Sequence, residues 1–546
     1  MKPPSRDNKA PRAGVPVSGQ LLEAPQISPV TYAYWIALGV ITLAGLVLRA
    51  AWLDHLMRYD EAYQFIQFAN IKDGNLFFYQ TPNNHVLHTM LVRLFVTFGG
   101  ESPQVMRMPA FLAGVAIIPL AAVLARRISG RWEAGLIAAA LAACSSILIE
   151  YSANARGYSM VCAATLAMAI FTTRVLADMR SKRAWAYWIA AGALGLFTIP
   201  VMAYPILLLS LLIVGQALWA HNDIAVRRWV VERVLASLVL LAAVTTVLYL
   251  PVAWVTSDEL AKASGPGTSA SLVHGYQMLW ANRFVTPVSP GACVMQLGSA
   301  IVDTARHWTR DGGITWPLLL LAGVAGAVIS AVRNRSAWGL APIVGALLLL
   351  AAAVVQSVTI FPRVWLFLLP LVLAVAACGL VQFADLAGRR FKPAHALAAI
   401  GLLTAFTCGV SAWQTQHEGW LISEDPRTYT DIKAIARDIS AAADGVTAVL
   451  VDEVGWPPLA YYCGRDGRTF PTPDSPLCQR LLTVTHTGED PLPLRDRLAG
   501  MKDAFGPALP WRVYPSSTVY VSHRLAKGAT DRQNLPVKME PREQAQ

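Results

Sequence analysis

The chain has 546 residues, 55% of them hydrophobic and only 14% charged. A soluble protein of this composition would lack the polar surface to clothe its core, so lipid must cover much of it. A formal net charge of +11 would suit nucleic acid if the basic residues clustered on one face or in a tail, but they lie in short groups between apolar runs, which excludes that partner.

Residues 1–30 are polar and Pro-rich without an apolar h-region, and read as a disordered cytoplasmic tail. The first membrane helix then acts as an uncleaved export signal. Apolar runs of bilayer length follow at roughly 33–53, 107–125, 133–149, 158–177, 185–199, 203–220, 235–255, 315–332, 337–356, 365–384 and 394–413. The pair spanning 185–220 is interrupted by Pro200 and Pro205 and reads as two helices or as a tight re-entrant hairpin; parity is the same either way.

Lys and Arg resist translocation, so they should collect in alternate loops. They do: Arg126, Arg127 and Arg131, then Arg174 to Arg183, Arg227 to Arg233, Arg333 with Arg335, and Arg389 to Lys392 follow the even-numbered helices. The N-terminus is therefore placed in the cytoplasm of a cell with an inner membrane. An odd helix count puts residues 414–546 on the periplasmic side, with long outer loops at 54–106 and 256–314.

The expected fold is an all-α polytopic membrane protein of about eleven transmembrane helices, residues 31–413, followed by a small α/β domain. In that domain TYTDIKAIARDISAAA has helical spacing, while TAVLVDE and STVYVSHRL read as strands. Of the seven cysteines, Cys144, Cys162, Cys378 and Cys408 lie in apolar runs as small hydrophobes. Cys463 and Cys478, fifteen residues apart in an oxidising compartment, are expected to form a structural disulfide.

The first outer loop concentrates polar chemistry. RYDEAYQF places Arg58, Asp60 and Glu61 at a helix start, where Asp60 serves as an N-cap or as a reacting carboxylate. NNHVLHTML adds Asn83, Asn84, His85 and His88, either as caps satisfied by the backbone or as polar reach toward a site. EYSANARGYSM carries Glu150, Arg156 and Tyr158 to the same membrane face, and FPRVW sets Arg363 there. An outer-face arginine snorkels to headgroups or serves an anionic ligand. Guanidinium forks suit phosphate, and carboxylates suit proton removal.

Taken together these motifs resemble the C-type (GT-C) glycosyltransferases of family 39, bacterial membrane enzymes related to protein mannosyltransferases and lipid A aminoarabinose transferases. RYDEAYQF resembles the family's first-loop acidic motif at Asp60 and Glu61. NNHVLHTML stands where the family has a His/Lys-Pro-Pro-Leu segment, with Val86 and Leu87 in place of the prolines. EYSANARGYSM resembles its Tyr-Ser-x-x-x-Arg-x-Tyr signature through Tyr151, Ser152, Arg156 and Tyr158, and FPRVWLFLLP its late Pro-Arg-Tyr segment, with Trp365 two residues beyond Arg363.

The resemblance implies a polyprenyl-phosphate sugar donor, an acceptor at the outer membrane face that is a glycolipid, polysaccharide or protein, and inversion at the anomeric carbon. Asp60 is then the base, with Glu61 and His85 orienting hydroxyls and Arg156 and Arg363 binding the donor phosphate. Arg58, Asn84 and Tyr158 contact substrate. Asp60 with Glu61 offers oxygen ligands to Mg²⁺ or Mn²⁺, but no second acidic cluster completes a site, so no cofactor is assigned. The second outer loop, with Trp280, Arg283, Trp308 and Arg310, covers the donor or lies on headgroups. The competing reading is a transporter or flippase of lipid-linked sugars, which would place ionisable groups at the bilayer midplane, where this chain is nearly uncharged.

Overall fold

In this computed structural model the described residues are 29–79, 83–220, 222–264, 271–272, 290–309, 313–356, 362–388, 392–418, 429–442, 444–465, 470–471, 475–496 and 504–525. The expected N-terminal tail and Trp280, Arg283, Arg310, Arg389 and Arg390 lie outside them.

Each of the eleven apolar runs falls on a helix. In chain order the helices are α1 (Pro29–Ala50), α2 (Tyr59–Gln64), α3 (Val86–Gly99), α4 (Pro103–Ser129), α5 (Trp132–Cys144), α6 (Ser146–Ser152), α7 (Tyr158–Ala177), α8 (Lys182–Thr198), α9 (Ala203–Ala220) and α10 (Ile224–Ser264). After them come α11 (Pro290–Thr309), α12 (Thr315–Asn334), α13 (Ala341–Gln356), α14 (Leu368–Ala387) and α15 (Pro393–Glu418). Among the described residues, eight helices are long and apolar enough to cross a membrane, and α5 with α6 forms a ninth span bent by 62°. The shorter α8 and α13, of 17 and 16 residues, carry the remaining two apolar runs. The chain is a multi-pass membrane protein.

The bend in the ninth span needs a chemical explanation, because a break inside lipid strips carbonyls of their helical partners. Ser145 adopts an extended backbone, which ends α5. The Arg49 guanidinium, wholly buried near the end of α1, donates to the carbonyls of Ala143 and Ala142 at 2.9 Å each. Ser411 of α15 donates to the carbonyl of Cys144 at 2.7 Å. Two distant helices thus satisfy the break, and α6 is released to carry Glu150 and the loop after it to the membrane surface.

Alternate helix ends share a face, as the charge pattern requires. Arg126 at the end of α4 stacks on Trp132 at the start of α5 and lies over Tyr34 near the start of α1. Arg131 pairs with Asp385 at the end of α14. The opposite ends carry the polar motifs.

At the C-terminus a four-stranded sheet has the order β1-β2-β4-β3, with β1 (Thr447–Leu450) parallel to β2 (Arg480–His486) and the pairs β2/β4 and β3/β4 antiparallel; β3 is Leu509–Val513 and β4 is Ser517–His523. Two helices, α16 (Ile432–Ala442) and α17 (Trp456–Arg465), pack on it. This α/β unit sits on the first outer loop: Met57 donates its amide to the Tyr462 hydroxyl at 3.0 Å, and Tyr461 donates to the Glu101 carbonyl at 2.7 Å. The sheet domain and the acidic loop therefore occupy the same side of the membrane.

Cys463 and Cys478 do not pair with each other, contrary to expectation. Cys463 is in the cluster under α17, its thiol directed at the Ala436 carbonyl at 3.9 Å, whereas Cys478 packs with Ala448, Leu481 and Phe505 beside β2. Fifteen residues of separation said nothing about whether their Cβ atoms meet.

The tightest helix contact is α12 against α14. A Cβ built at Gly379 would stand 1.7 Å from the Gly323 carbonyl oxygen and 2.5 Å from the Ala327 amide, so these backbones touch where side chains would normally intervene. Gly379→Ala is expected to force the two helices apart and to lower the melting temperature of the detergent-solubilised protein, at a cost of about 3 kcal/mol or more. Gly401→Ala, with nothing within 4 Å of the new methyl, should leave it unchanged.

Candidate active site

The face of the bundle that carries the polar motifs is organised by one carboxylate. Glu61, in the first turn of α2, is buried and accepts from Arg107 Nε at 2.8 Å and Nη2 at 2.7 Å, a bidentate pair. It also accepts from the backbone amides of Arg58 at 3.0 Å and Ala155 at 2.6 Å. All four lone-pair directions are used. Burial pushes the Glu61 carboxyl up, but the charge and hydrogen bonds of Arg107, with Arg58 and the Ala155 amide, hold it below the usual carboxylate range.

Arg107 in turn donates to the carbonyls of Leu53, His55 and Leu56 at 2.7–3.0 Å, so the strand of chain leaving α1 is fixed to the start of α4. Arg58 is the N-cap residue, and Asp60 makes no cap hydrogen bond, which removes the capping explanation for Asp60. The Arg58 guanidinium meets Glu150 of α6 at 2.7 Å, both buried.

Asp60 faces away from this knot. Its Oδ2 lies 3.9 Å from Arg156 Nη2 and 3.9 Å from Arg363 Nη1. These are ion-pair contacts beyond hydrogen-bonding distance, in contrast with the 2.7 Å contacts behind them. Arg363 is set by the short 3-10 turn Pro362–Trp365. Arg156 is clamped by Asn83, whose side-chain oxygen accepts from Nη2 at 2.7 Å and whose carbonyl accepts from Nη1 at 3.0 Å, and by Gln64 Oε1 at 3.1 Å.

Tyr158 lies beneath Arg156, with the guanidinium carbon 6.0 Å from the ring centre, and meets His85 edge-on at 5.1 Å. His85 Nδ1 accepts the Gly157 amide at 2.9 Å, which places its proton on Nε2. Burial first, then the charges of Arg156, His88 and Arg363, hold this imidazole well below its ordinary range, so it is a neutral donor. Gly157 has no alternative here: a Cβ would stand 2.6 Å from Thr198 and 3.3 Å from His85.

Asp60, His85, Arg156, Tyr158 and Arg363, five residues from four separate motifs, are thus brought to one face. Arg58 and Glu61 bind other protein groups instead. Asn84 does too, donating to the carbonyls of Leu76 and Phe78 at 2.9 Å each and accepting from Thr89 at 2.8 Å. Arg107, Gln64 and the clamping role of Asn83 were not anticipated. The signal for Arg107 was available: a basic residue at the outer start of a span, against the charge bias.

With all four of its lone-pair directions taken, Glu61 is not placed to share a divalent cation with Asp60. Among the described residues no group of three or more His, Cys, Asp or Glu side chains converges as a metal site.

Beside this cluster an apolar cavity of about 550 Å³ lies between α8, α9 and α10, lined by Tyr79, Leu196, Pro200, Leu207, Leu241 and Tyr249. Tyr79 shares a buried cluster with Val86, next to His85. Burial pushes its phenol up, against the lowering pull of the Arg156 charge. Two arginines and an apolar cavity thus lie side by side.

Because the Glu61 carboxyl is held low in the folded state, the stability it contributes is present above its unfolded pKa and is lost as pH falls through the folded value. Arg107→Met is expected to cost about 3–5 kcal/mol by leaving Glu61 buried without its partner, whereas Arg107→Met with Glu61→Gln should cost clearly less than the sum of the single changes. Thermal unfolding of the four proteins from about pH 7 down to about pH 2 reads both effects, and the acid-linked loss, which sets in below the ordinary carboxylate range, should be absent wherever Glu61 is replaced.

No family model and no curated protein matches the chain in sequence. Solved structures do match in shape. ArnT from Cupriavidus metallidurans in the apo state superposes with a TM-score of 0.56 at 14% identity, covering 90% of this chain and 98% of that one. The same protein bound to undecaprenyl phosphate gives 0.55 at 13%, covering 89% and 98%. The Archaeoglobus fulgidus oligosaccharyltransferase in complex with Zn and sulfate gives 0.48 at 12%, covering 89% and 72%. The likeness to ArnT is one of architecture, and it extends over nearly the whole of both chains: this protein has the GT-C fold, a polytopic helical bundle with a small C-terminal α/β domain.

Proposed function

We propose that the protein is an inverting membrane glycosyltransferase that moves a monosaccharide, hexosyl or pentosyl, from a polyprenyl-phosphate donor to a hydroxyl of a cell-envelope acceptor. The observation that carries this reading is Asp60 standing 3.9 Å from both Arg156 and Arg363, with an apolar cavity nearby that is lined in part by Tyr79, a phenol that feels the Arg156 charge. A phosphate on a long hydrocarbon matches both halves of that site, and the ArnT structure of the same fold was solved with undecaprenyl phosphate. The N-terminus is assigned to the cytoplasm and the α/β domain to the periplasm, on the charge pattern and the contact of that domain with the acidic loop.

The chemistry is a single in-line displacement. The acceptor oxygen forms a bond to C1 while the bond from C1 to the phosphate oxygen breaks, and the phosphate leaves with the electron pair. Asp60 takes the acceptor proton late, once C1 has become cationic, because a carboxylate is a weak base for a hydroxyl. Arg156 and Arg363 stabilise the charge that localises on the phosphate. His85 donates from Nε2 to a hydroxyl or oxyanion, and Tyr158 supports Arg156. Glu61 acts as a positioning residue for Asp60, since its own acceptor sites are taken.

Base and leaving group must flank C1 with the width of a sugar between them, which 3.9 Å does not provide. Donor binding therefore parts Asp60 from the guanidiniums, and phosphate replaces carboxylate as their counter-ion. Asp60→Asn is accordingly expected to lower transfer from a radiolabelled polyprenyl-phosphate sugar by about 10²–10⁴-fold while binding undecaprenyl phosphate at least as tightly as wild type. Arg363→Ala should weaken that binding. Full turnover by Asp60→Asn in membranes would overturn the assignment.

A further inference from the structure

Gln64 follows Asp60 by one turn on α2, is 2% exposed, and leads into a π-helical turn at Phe65–Ala69. Its amide is held at both ends. Oε1 accepts from Arg156 Nη1 at 3.1 Å, while Nε2 donates to Thr89 Oγ1 at 2.8 Å and to His88 Nδ1 at 3.2 Å. Arginine is a donor only, so it fixes which end of the amide is oxygen.

The rest of the chain of bonds then has one direction. Thr89, having accepted from Gln64, donates to Asn84 Oδ1 at 2.8 Å, and Asn84 spends its two N–H groups on backbone carbonyls. His88, accepting at Nδ1, carries its proton on Nε2; burial and then the Arg156 charge hold it to about pKa 3, so it stays neutral and never offers Gln64 a competing positive donor. From α2, Arg156 therefore meets two groups: the neutral Gln64 amide, which accepts a hydrogen bond from Nη1, and the Asp60 carboxylate, 3.9 Å from Nη2.

We propose that Gln64 is a positioning residue for donor recognition: anchored by Thr89 and His88, it orients the Arg156 guanidinium toward the donor phosphate without neutralising its charge. This rests on the glycosyl-transfer reading above. The geometry separates two tasks on one short helix, with Asp60 reacting and Gln64 aiming the cation. A carboxylate at position 64 would fill the same space and pair with Arg156, removing the charge that phosphate needs. An apolar side chain would leave Nη1 with Asn83 alone.

The test uses full-length protein in nanodiscs and two probes, undecaprenyl phosphate and undecaprenol, which differ only in the phosphate. Wild type should prefer the phosphate. Gln64→Met, close in volume and helix-compatible, is expected to lose about tenfold of that preference, the effect of one hydrogen bond to a charged group, with undecaprenol binding unchanged. Gln64→Glu, which keeps the shape if the methionine variant does not fold, should lose more. A merely structural role would weaken both lipids alike and leave their ratio intact, and that result in a folded variant would overturn the proposal while leaving the function standing. If wild type itself does not distinguish the two lipids, the function and this inference both fall.

Discussion

The face of this protein that bears the acidic loop depends on one buried ion pair, Glu61 with Arg107. It ties the chain leaving α1, the start of α2 and the start of α4 to one point, with the Ala155 amide bringing in the loop before α7. Buried pairs of this kind are weak sources of net stability, because desolvation consumes most of their attraction. What this one supplies is location. With every lone pair of Glu61 used, α2 can start in only one place, and its next-door residue Asp60 is aimed at the opposite side.

Two kinds of electrostatics stand back to back on α2. Behind it, contacts of 2.6–3.0 Å leave no room for exchange. In front, Asp60 touches two arginines at 3.9 Å without a hydrogen bond. The first is a scaffold that a ligand has no means of entering. The second is a looser attraction, with an apolar cavity beside it.

Apolar run length located the eight helices that are long and apolar enough to cross a membrane among the described residues, because a bilayer imposes one thickness on every span. It did not report the full extent of α10, 41 residues from Ile224 to Ser264, since hydropathy measures the part in lipid and this helix continues through charged turns at both ends. Nor did it reveal the break at Ser145. SILIEYS is apolar, and what makes a break tolerable there is a guanidinium nearly a hundred residues earlier and a hydroxyl 267 residues later. The site divided in the same way. Asp60, Arg156 and Arg363 were legible because charge at a membrane surface is costly and needs a reason. The occupation of Glu61, Arg58 and Asn84 by other protein groups was not, since a carboxylate has the same sequence signature whether its lone pairs are full or open. The cysteine pair failed for a related reason, as spacing along a chain carries no direction in space.

The hydrogen bond from the Met57 amide to the Tyr462 hydroxyl joins positions 405 residues apart. The loop that bears Asp60 leaves the ribosome well before Tyr462, one of its supports. During synthesis the acidic loop, the arginines and the apolar cavity all reach the membrane before the α/β domain exists. The nascent protein thus holds its acidic loop by the Glu61–Arg107 pair before the Tyr462 hydroxyl exists, and a chain truncated before residue 462 lacks that one further support.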